Sequence, residues 1–289
     1  MKRALMNQTI VTIYGEPKLD LLTEENQTST IQDEGLYGMP VEIIEECNHK
    51  WVKVRTHYYY EGYVPLCNLK VLDDLENKQW EKNRPNRRVI AKFYADVLVT
   101  PKVQGIRLQT LTRGALVTIV PVEENSDEDL EGWAKIRLNN GQEGYIKESF
   151  LTPYYDQPWT QNENELRAHL VQTALSYLGT QYRWGGKSTL GIDCSGLTSM
   201  AYLLNGIFIY RDAKIKEGFP VHAIDFQDKK PGDLLYYPGH VAMYIGGDRY
   251  VHATAHSGSD GVVINSLNPN DPDYRADLAQ SLYAVGSIF

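Results

Sequence analysis

Apolar and polar residues alternate through Trp51-Val52-Lys53-Val54-Arg55 and Glu61-Gly62-Tyr63-Val64. That is the period of half-buried strands. The pattern returns as Trp133-Ala134-Lys135-Ile136-Arg137 and Glu143-Gly144-Tyr145-Ile146. Val41-Glu42-Ile43-Ile44 precedes the first copy and Leu69 follows it; Val117-Thr118-Ile119-Val120 and Leu151 frame the second. Trp to Gly spans eleven positions in both copies, 62 − 51 and 144 − 133. Gly and Asn/Asp clusters between the runs read as turns. Two small all-β barrels are expected, over 1–76 and 87–153. The polar stretch Leu75–Arg88 reads as the linker between them, and Pro153–Pro158 as a second linker.

The pattern then changes. Leu166, Leu170, Val171, Ala174, Leu175 and Leu178 form the inner face of a helix that Gly179 ends. Gln181-Tyr182-Arg183-Trp184-Gly185-Gly186 reads as a loop. Leu197, Met200, Ala201 and Leu204 fall at i, i+3, i+4 and i+7, one stripe of a second helix. Asp193 stands at its N-cap and Gly206 just past its end. From Gly232 the period is two again, in Asp233–Tyr237, His240–Ile245, Arg249–Ala253, Val262–Ile264 and Tyr283–Gly286. Pro238-Gly239 and Gly246-Gly247-Asp248 supply turns. Helices followed by an antiparallel sheet make 160–289 an α+β domain.

The second helix places Cys194 in its first turn. Unpaired amides and the positive dipole end favour an anion there. Such placement predicts a thiol below its ordinary pKa of ~8.5. Taken alone, Cys194 fits a small buried hydrophobe better than a nucleophile. The histidines reverse that. A cysteine nucleophile needs a base and a group to orient the base. His240 opens a strand after a turn, and His252 lies one hairpin later. They must share a sheet face, so a three-residue loop, Gly246-Gly247-Asp248, is expected, pairing 242 with 252.

Composition narrows the function. The 289 residues carry a formal net charge of −8, which gives neither a nucleic-acid footprint nor a polybasic membrane anchor. No apolar run approaches the ~20 residues of a membrane span. The first ten residues have two early basic side chains and no apolar region behind them. The expectation is a cytoplasmic protein, or a secreted one if a leader has been removed. Cys47, Cys67 and Cys194 show no zinc spacing, so no metal or cofactor is expected. Cys47 and Cys67 read as reduced and partly buried.

The segments Tyr182-x-Trp184-Gly185-Gly186, Asp193-Cys194-Ser195-Gly196, Pro231-Gly232-Asp233-Leu234, Gly239-His240-Val241-Ala242 and Val251-His252-Ala253 are specific in combination. Over 160–289 they resemble the NlpC/P60 family of papain-like cysteine peptidases. The Trp-x-Lys…Gly-Tyr repeat resembles bacterial SH3-like (SH3b) domains. The whole chain is similar to the cytoplasmic γ-D-glutamyl-L-diamino acid endopeptidases that recycle murein peptides. The resemblance implies Cys194 as nucleophile, His240 as base and His252 as its orienting partner. It implies that Tyr182 helps bind the substrate or stabilise the oxyanion; Ser195, next to the nucleophile, is a further expected substrate contact. Ile209-Tyr210-Arg211-Asp212-Ala213 resembles an I-P-R-D-[SA] motif whose aspartate holds the free amine of an N-terminal L-alanine. That role falls to Asp212; without the family context Arg211-Asp212 would read as a solvated surface pair. Tyr210 departs from the motif's proline, and Met39 stands where an acidic residue is common after Leu36-Tyr37-Gly38. Tyr60 is the first barrel's candidate contact to substrate. The implied partner is a murein stem peptide, L-Ala-γ-D-Glu-diamino acid. Rival readings are an N-acetylmuramoyl-L-alanine amidase or general wall hydrolase on the same scaffold, and a non-catalytic wall-binding SH3b protein. Intact Cys194, His240 and His252 argue against the last.

Overall fold

The internal repeat reappears as topology. In the computed structural model, which describes residues 2–16, 31–121 and 130–289, seven antiparallel strands form a first sheet. They are β1 (Lys2–Met6), β2 (Ile10–Tyr14), β3 (Ile31–Leu36), β4 (Pro40–Glu46), β5 (Trp51–Thr56), β6 (Glu61–Pro65) and β7 (Leu69–Val71). Seven more form a second: β8 (Arg87–Ile90), β9 (Tyr94–Leu98), β10 (Arg107–Thr112), β11 (Leu116–Ile119), β12 (Trp133–Arg137), β13 (Glu143–Lys147) and β14 (Leu151–Pro153). The first sheet runs β3-β2-β6-β5-β4-β1-β7 and the second β10-β9-β13-β12-β11-β8-β14. Counted from its own first strand, each has the order 3-2-6-5-4-1-7. The repeated Trp and Gly hold the same register: Trp51 faces Pro65 and Val54 faces Gly62, as Trp133 faces Lys147 and Ile136 faces Gly144.

The expected polar linker is instead ordered. α1 (Asp74–Lys82) opens on a capping box, in which Asp73 accepts from the Glu76 amide at 2.8 Å and Glu76 accepts from the Asp73 amide at 3.0 Å. Trp80 stacks with Arg87 at 3.3 Å and Arg3 at 4.5 Å. The stretch read as linker because nothing in α1 is buried, so no apolar stripe marks it.

One residue joins the two copies. Tyr37, just past the first copy's β3, sits in the apolar cluster of the second with Val97, Leu111, Ile136 and Ile146. Its carbonyl accepts from Leu116 N–H at 2.8 Å and its hydroxyl from Asn139 N–H at 2.6 Å. Burial pushes its phenol up to about 12. Leu36-Tyr37-Gly38 therefore serves packing within the N-terminal unit, Met1–Tyr154.

The other unit is Tyr155–Phe289. α2 (Glu163–Leu175) is capped by Asn162. It stops before Leu178, which is exposed rather than on an inner face. A short hairpin, β15 (Lys187–Ser188) and β16 (Gly191–Ile192), leads into α3 (Cys194–Leu203). β17 (His222–Ile224), β18 (Leu234–Tyr237), β19 (His240–Gly246), β20 (Arg249–Thr254), β21 (Gly261–Ser266) and β22 (Ala284–Ser287) form an antiparallel sheet. Its order is β17-β22-β18-β19-β20-β21. α3 packs on α2, β19 and β20. All ten of its residues are buried, so it is a core helix rather than the amphipathic one its stripe predicts; Thr198, Ser199 and Tyr202 go inside with the stripe, while Leu204 is half-buried. Their hydroxyls find partners: Thr198 and Ser199 bond to carbonyls of α3 itself, and Tyr202 donates to Gly232 O at 2.6 Å. α4 (Ala276–Ser281) contributes Leu278 to the cluster around Leu235, Tyr237, Ala242, Tyr244 and Tyr250.

The β19–β20 hairpin departs from the expected loop. Gly246 pairs with Arg249, leaving a two-residue turn at Gly247-Asp248 with φ of 58° and 56°. Both central residues at positive φ suit a turn that follows strand twist. A bulge between Tyr244 and Gly246 restores the phase, so Met243 faces Val251. Position 242 thus still faces 252, as expected, by a different device.

Tyr37→Phe should remove the acceptor for the Asn139 N–H while keeping the ring. An unsatisfied polar group costs about 1–3 kcal/mol. Denaturant unfolding of the full chain should show a lower midpoint for the N-terminal unit; an unchanged midpoint would mean the hydroxyl contributes nothing.

Candidate active site

α3 begins at a buried polar knot. Asp193 Oδ1 accepts from Gly196 N–H at 2.6 Å, the N-cap bond, and Oδ2 accepts from Gly185 N–H at 2.9 Å. Arg211, 1 % exposed in its side chain, donates to both carboxylate oxygens at 3.0 and 3.1 Å. It also donates to Ser195 Oγ at 2.7 Å and to the carbonyls of Gly185 and Gly186 at 3.1 and 3.3 Å. Gly196 is required by closeness: a Cβ there would lie 2.1 Å from Gly186 O. Arg211-Asp212 is therefore no solvated pair. Arg211 ties the Gly185-Gly186 loop to the cysteine turn.

Ser195, expected as a substrate contact, is placed inside this knot. Its hydroxyl is buried, receives Arg211 and lies 3.2 Å from Asp193 Oδ1, so it belongs to the knot.

Because 242 faces 252, His240 and His252 share a sheet face. His240 Nε2 and His252 Nδ1 are 2.7 Å apart, and His252 Nε2 is 2.8 Å from Asn265 Oδ1. Asn265 Nδ2 donates to Asp273 O at 2.6 Å, which fixes the amide's orientation. The tautomers follow from that end. Asn265 Oδ1 can only accept, so His252 carries its proton on Nε2 and accepts through Nδ1. His240 then carries its proton on Nε2, and its Nδ1 lone pair is left for a thiol. Cys194 Sγ accepts from the backbone N–H of Val241, the residue after His240. Asn265 was not singled out in the sequence. Only the strand register brings it to the face of His252, through the pairs His252–Val263 and Tyr250–Asn265.

Burial reverses the expected thiol ionisation. It pushes Cys194 up to about 11, with Asp193 adding to the effect; Val241 N–H, Arg211 and Ser195 N–H oppose it. The helix start favours a thiolate, but desolvation of the buried sulfur is the largest effect on it and acts the other way. Burial also holds His240 down to about 3, helped by His252, and His252 down to about 4 against the bond to Asn265. These shifts favour a neutral thiol and neutral imidazoles.

Tyr182 is half-buried and bridges to Ile192. Burial is the largest cause that raises its phenol, with nearby Asp193 adding to it, so the hydroxyl is able to donate. Asp212 is half-buried and hydrogen-bonds the Tyr210 hydroxyl. Tyr60 lies in the N-terminal unit, where its amide and carbonyl close the Thr56–Tyr60 turn at 2.9 and 2.8 Å. Cys47 and Cys67 are free; Cys67 is exposed rather than partly buried. Among the described residues no group of three His, Cys, Asp or Glu could hold a metal, and no helix is long and apolar enough to cross a membrane.

Two outcomes follow. At pH 7 iodoacetamide should modify exposed Cys67 before Cys194, which is 6 % exposed, and labelling of Cys194 should rise with pH. Faster labelling of Cys194 at pH 7, read by peptide mass spectrometry, would mean a resting thiolate–imidazolium pair. Asn265→Asp should stabilise a doubly protonated His252, whose Nδ1–H then donates to His240 Nε2. His240 must move its proton to Nδ1, towards the thiol. Activity should fall at least about 10-fold at neutral pH, since a wrong tautomer costs up to ~10⁴. It should recover as rising pH removes the extra proton. A pH-independent loss in kcat/KM would refute the tautomer chain.

Comparison with known proteins shows the family. The model of the NlpC/P60 family matches residues 179–277. Dipeptidyl-peptidase 6 of Lysinibacillus sphaericus is 44 % identical over 286 residues, 99 % of each chain. The γ-D-glutamyl-L-lysine dipeptidyl-peptidase of Bacillus cereus is 28 % identical, over 80 % of this chain and 69 % of its own. A crystal structure of an NlpC/P60 family protein from Bacillus cereus covers 98 % of both chains with a TM-score of 0.75 at 21 % identity, a likeness of fold. Matched from end to end by one relative and through its cysteine and histidines by the family model, the chain belongs to the NlpC/P60 family of cysteine peptidases.

Proposed function

We propose that this chain is an endopeptidase that hydrolyses the amide between γ-linked D-glutamate and the diamino acid of murein stem peptides bearing a free N-terminal L-alanine. The observation that carries the reading is end-to-end similarity to a dipeptidyl-peptidase, joined to a cysteine turn and a histidine chain built for acyl transfer. Cys194 Sγ attacks the γ-carbonyl carbon of D-glutamate while His240 Nδ1 takes the thiol proton. Starting from a neutral pair, attack and proton transfer proceed together. The Cys194 N–H, at a helix start without an intrahelical acceptor, and the Tyr182 hydroxyl are donors for the oxyanion. One such donor contributes about 3–4 kcal/mol. Collapse returns the proton from His240 to the departing α-amine of the diamino acid and leaves a thioester. Water, deprotonated by His240, then releases L-Ala-D-Glu and the thiol.

The substrate's free end meets Asp212, whose carboxylate suits an ammonium. The two N-terminal sheets are read as SH3-like barrels, and the setting as recycling of free peptides in the cytoplasm. Both parts of the reading rest on the resemblance drawn from the sequence.

The test is a digest of L-Ala-γ-D-Glu-diaminopimelate, its lysine counterpart and their N-acetyl forms, followed by mass spectrometry. The free tripeptides should give L-Ala-D-Glu and the diamino acid, and Cys194→Ala should give neither. Equal rates on free and N-acetyl peptides would overturn end-recognition and favour a general wall hydrolase.

A further inference from the structure

Residue 210 is where the motif around Asp212 departs from its usual proline, and the substituted side chain is engaged. The Tyr210 hydroxyl hydrogen-bonds the Asp212 carboxylate. Its ring packs on Phe219, with centroids 5.2 Å apart and planes tilted by 59°. Lys214 Nζ lies over the ring at 5.5 Å. The Lys214 amide also donates to Asp212 O at 2.7 Å, so the backbone turns back on itself there. On the other side, Arg211 is held by Asp193 and Ser195. Asp212 thus has its backbone fixed from both directions and its side chain held by a phenol.

We propose that Tyr210 is a specificity-determining positioning residue that holds the Asp212 carboxylate in the orientation that receives the substrate's ammonium. The proposal rests on the amine-binding reading of Asp212. A free carboxylate rotates about its terminal torsion, which has broad, two-fold wells. Fixing it beforehand lowers the ordering cost of binding. The phenol serves as a donor because it stays protonated: burial and then the bond to Asp212 push it up to about 12. Proline at 210 would supply a rigid backbone and no donor; tyrosine supplies the donor.

Tyr210→Phe keeps the ring on Phe219 and beneath Lys214, and removes only the hydroxyl. KM for the free tripeptide should rise roughly 3- to 10-fold, the size of one lost hydrogen bond, with kcat within about twofold. Turnover of the N-acetyl tripeptide should not change, so selectivity for a free amine narrows. In an Asp212→Ala background the same substitution should add nothing, because the hydroxyl acts through the carboxylate. Unchanged selectivity in Tyr210→Phe, a loss confined to kcat, or an equal loss with and without Asp212 would each overturn the proposal. Failure of the underlying reading looks different: the wild type itself would then cut free and N-acetyl peptides alike. Circular dichroism of each variant separates these results from misfolding.

Discussion

Arg211 and Asp193 form the buried ion pair on which the arrangement of the site depends. The guanidinium is 1 % exposed and the carboxylate 10 %. Two such charges away from water are tolerable only if every donor and acceptor is met. Here they are. Asp193 caps α3 and anchors the Gly185 amide, while Arg211 gathers Ser195 and two loop carbonyls. Leaving either charge alone costs about 3–5 kcal/mol. The cysteine's position, the loop after Tyr182 and the start of the segment bearing Asp212 are therefore set by one pair.

The second constraint is dehydration. α3 is buried throughout, and His252 is fully enclosed. Burial pushes the thiol up and the imidazoles down, so cysteine and histidines favour their neutral forms while the Arg211–Asp193 pair carries the standing charge. On the reacting groups charge develops during attack, where a dry environment strengthens the fixed donors around it. The backbone amides of Val241 and Ser195 already point at the sulfur. The helix start thus acts on the charge that forms rather than on a standing thiolate.

The sequence made some levels legible and hid others. Period-two patterning and the Trp–Gly spacing revealed both sheets because strand faces are written locally. Cys194, His240 and His252 stood out because a thiol at a capped helix start, a histidine after a turn and a second one hairpin later rarely coincide by chance. α1 was invisible because its stability comes from a capping box and from arginines stacked on Trp80, not from an apolar stripe. Asn265 was invisible because its role exists only through pairing with another strand. The direction of the Cys194 shift needed the depth of burial, which no spacing encodes. Ser195 is the converse case: the motif named it, and only the structure shows its hydroxyl between Arg211 and Asp193.

The bulge between Tyr244 and Gly246 has a consequence for how this hairpin can vary. His240 lies before it and His252 after it, and successive residues of a strand point to opposite faces. One residue gained or lost within either strand, between its histidine and the turn, with turn and bulge unchanged, would send one imidazole to the wrong side; the same change taken up by the turn, as a three-residue loop, would leave both in place. Two residues would lengthen or shorten the hairpin harmlessly. The segment is thus governed by parity within its strands: between the two histidines, an odd insertion or deletion keeps the imidazoles together only where the turn or the bulge absorbs it.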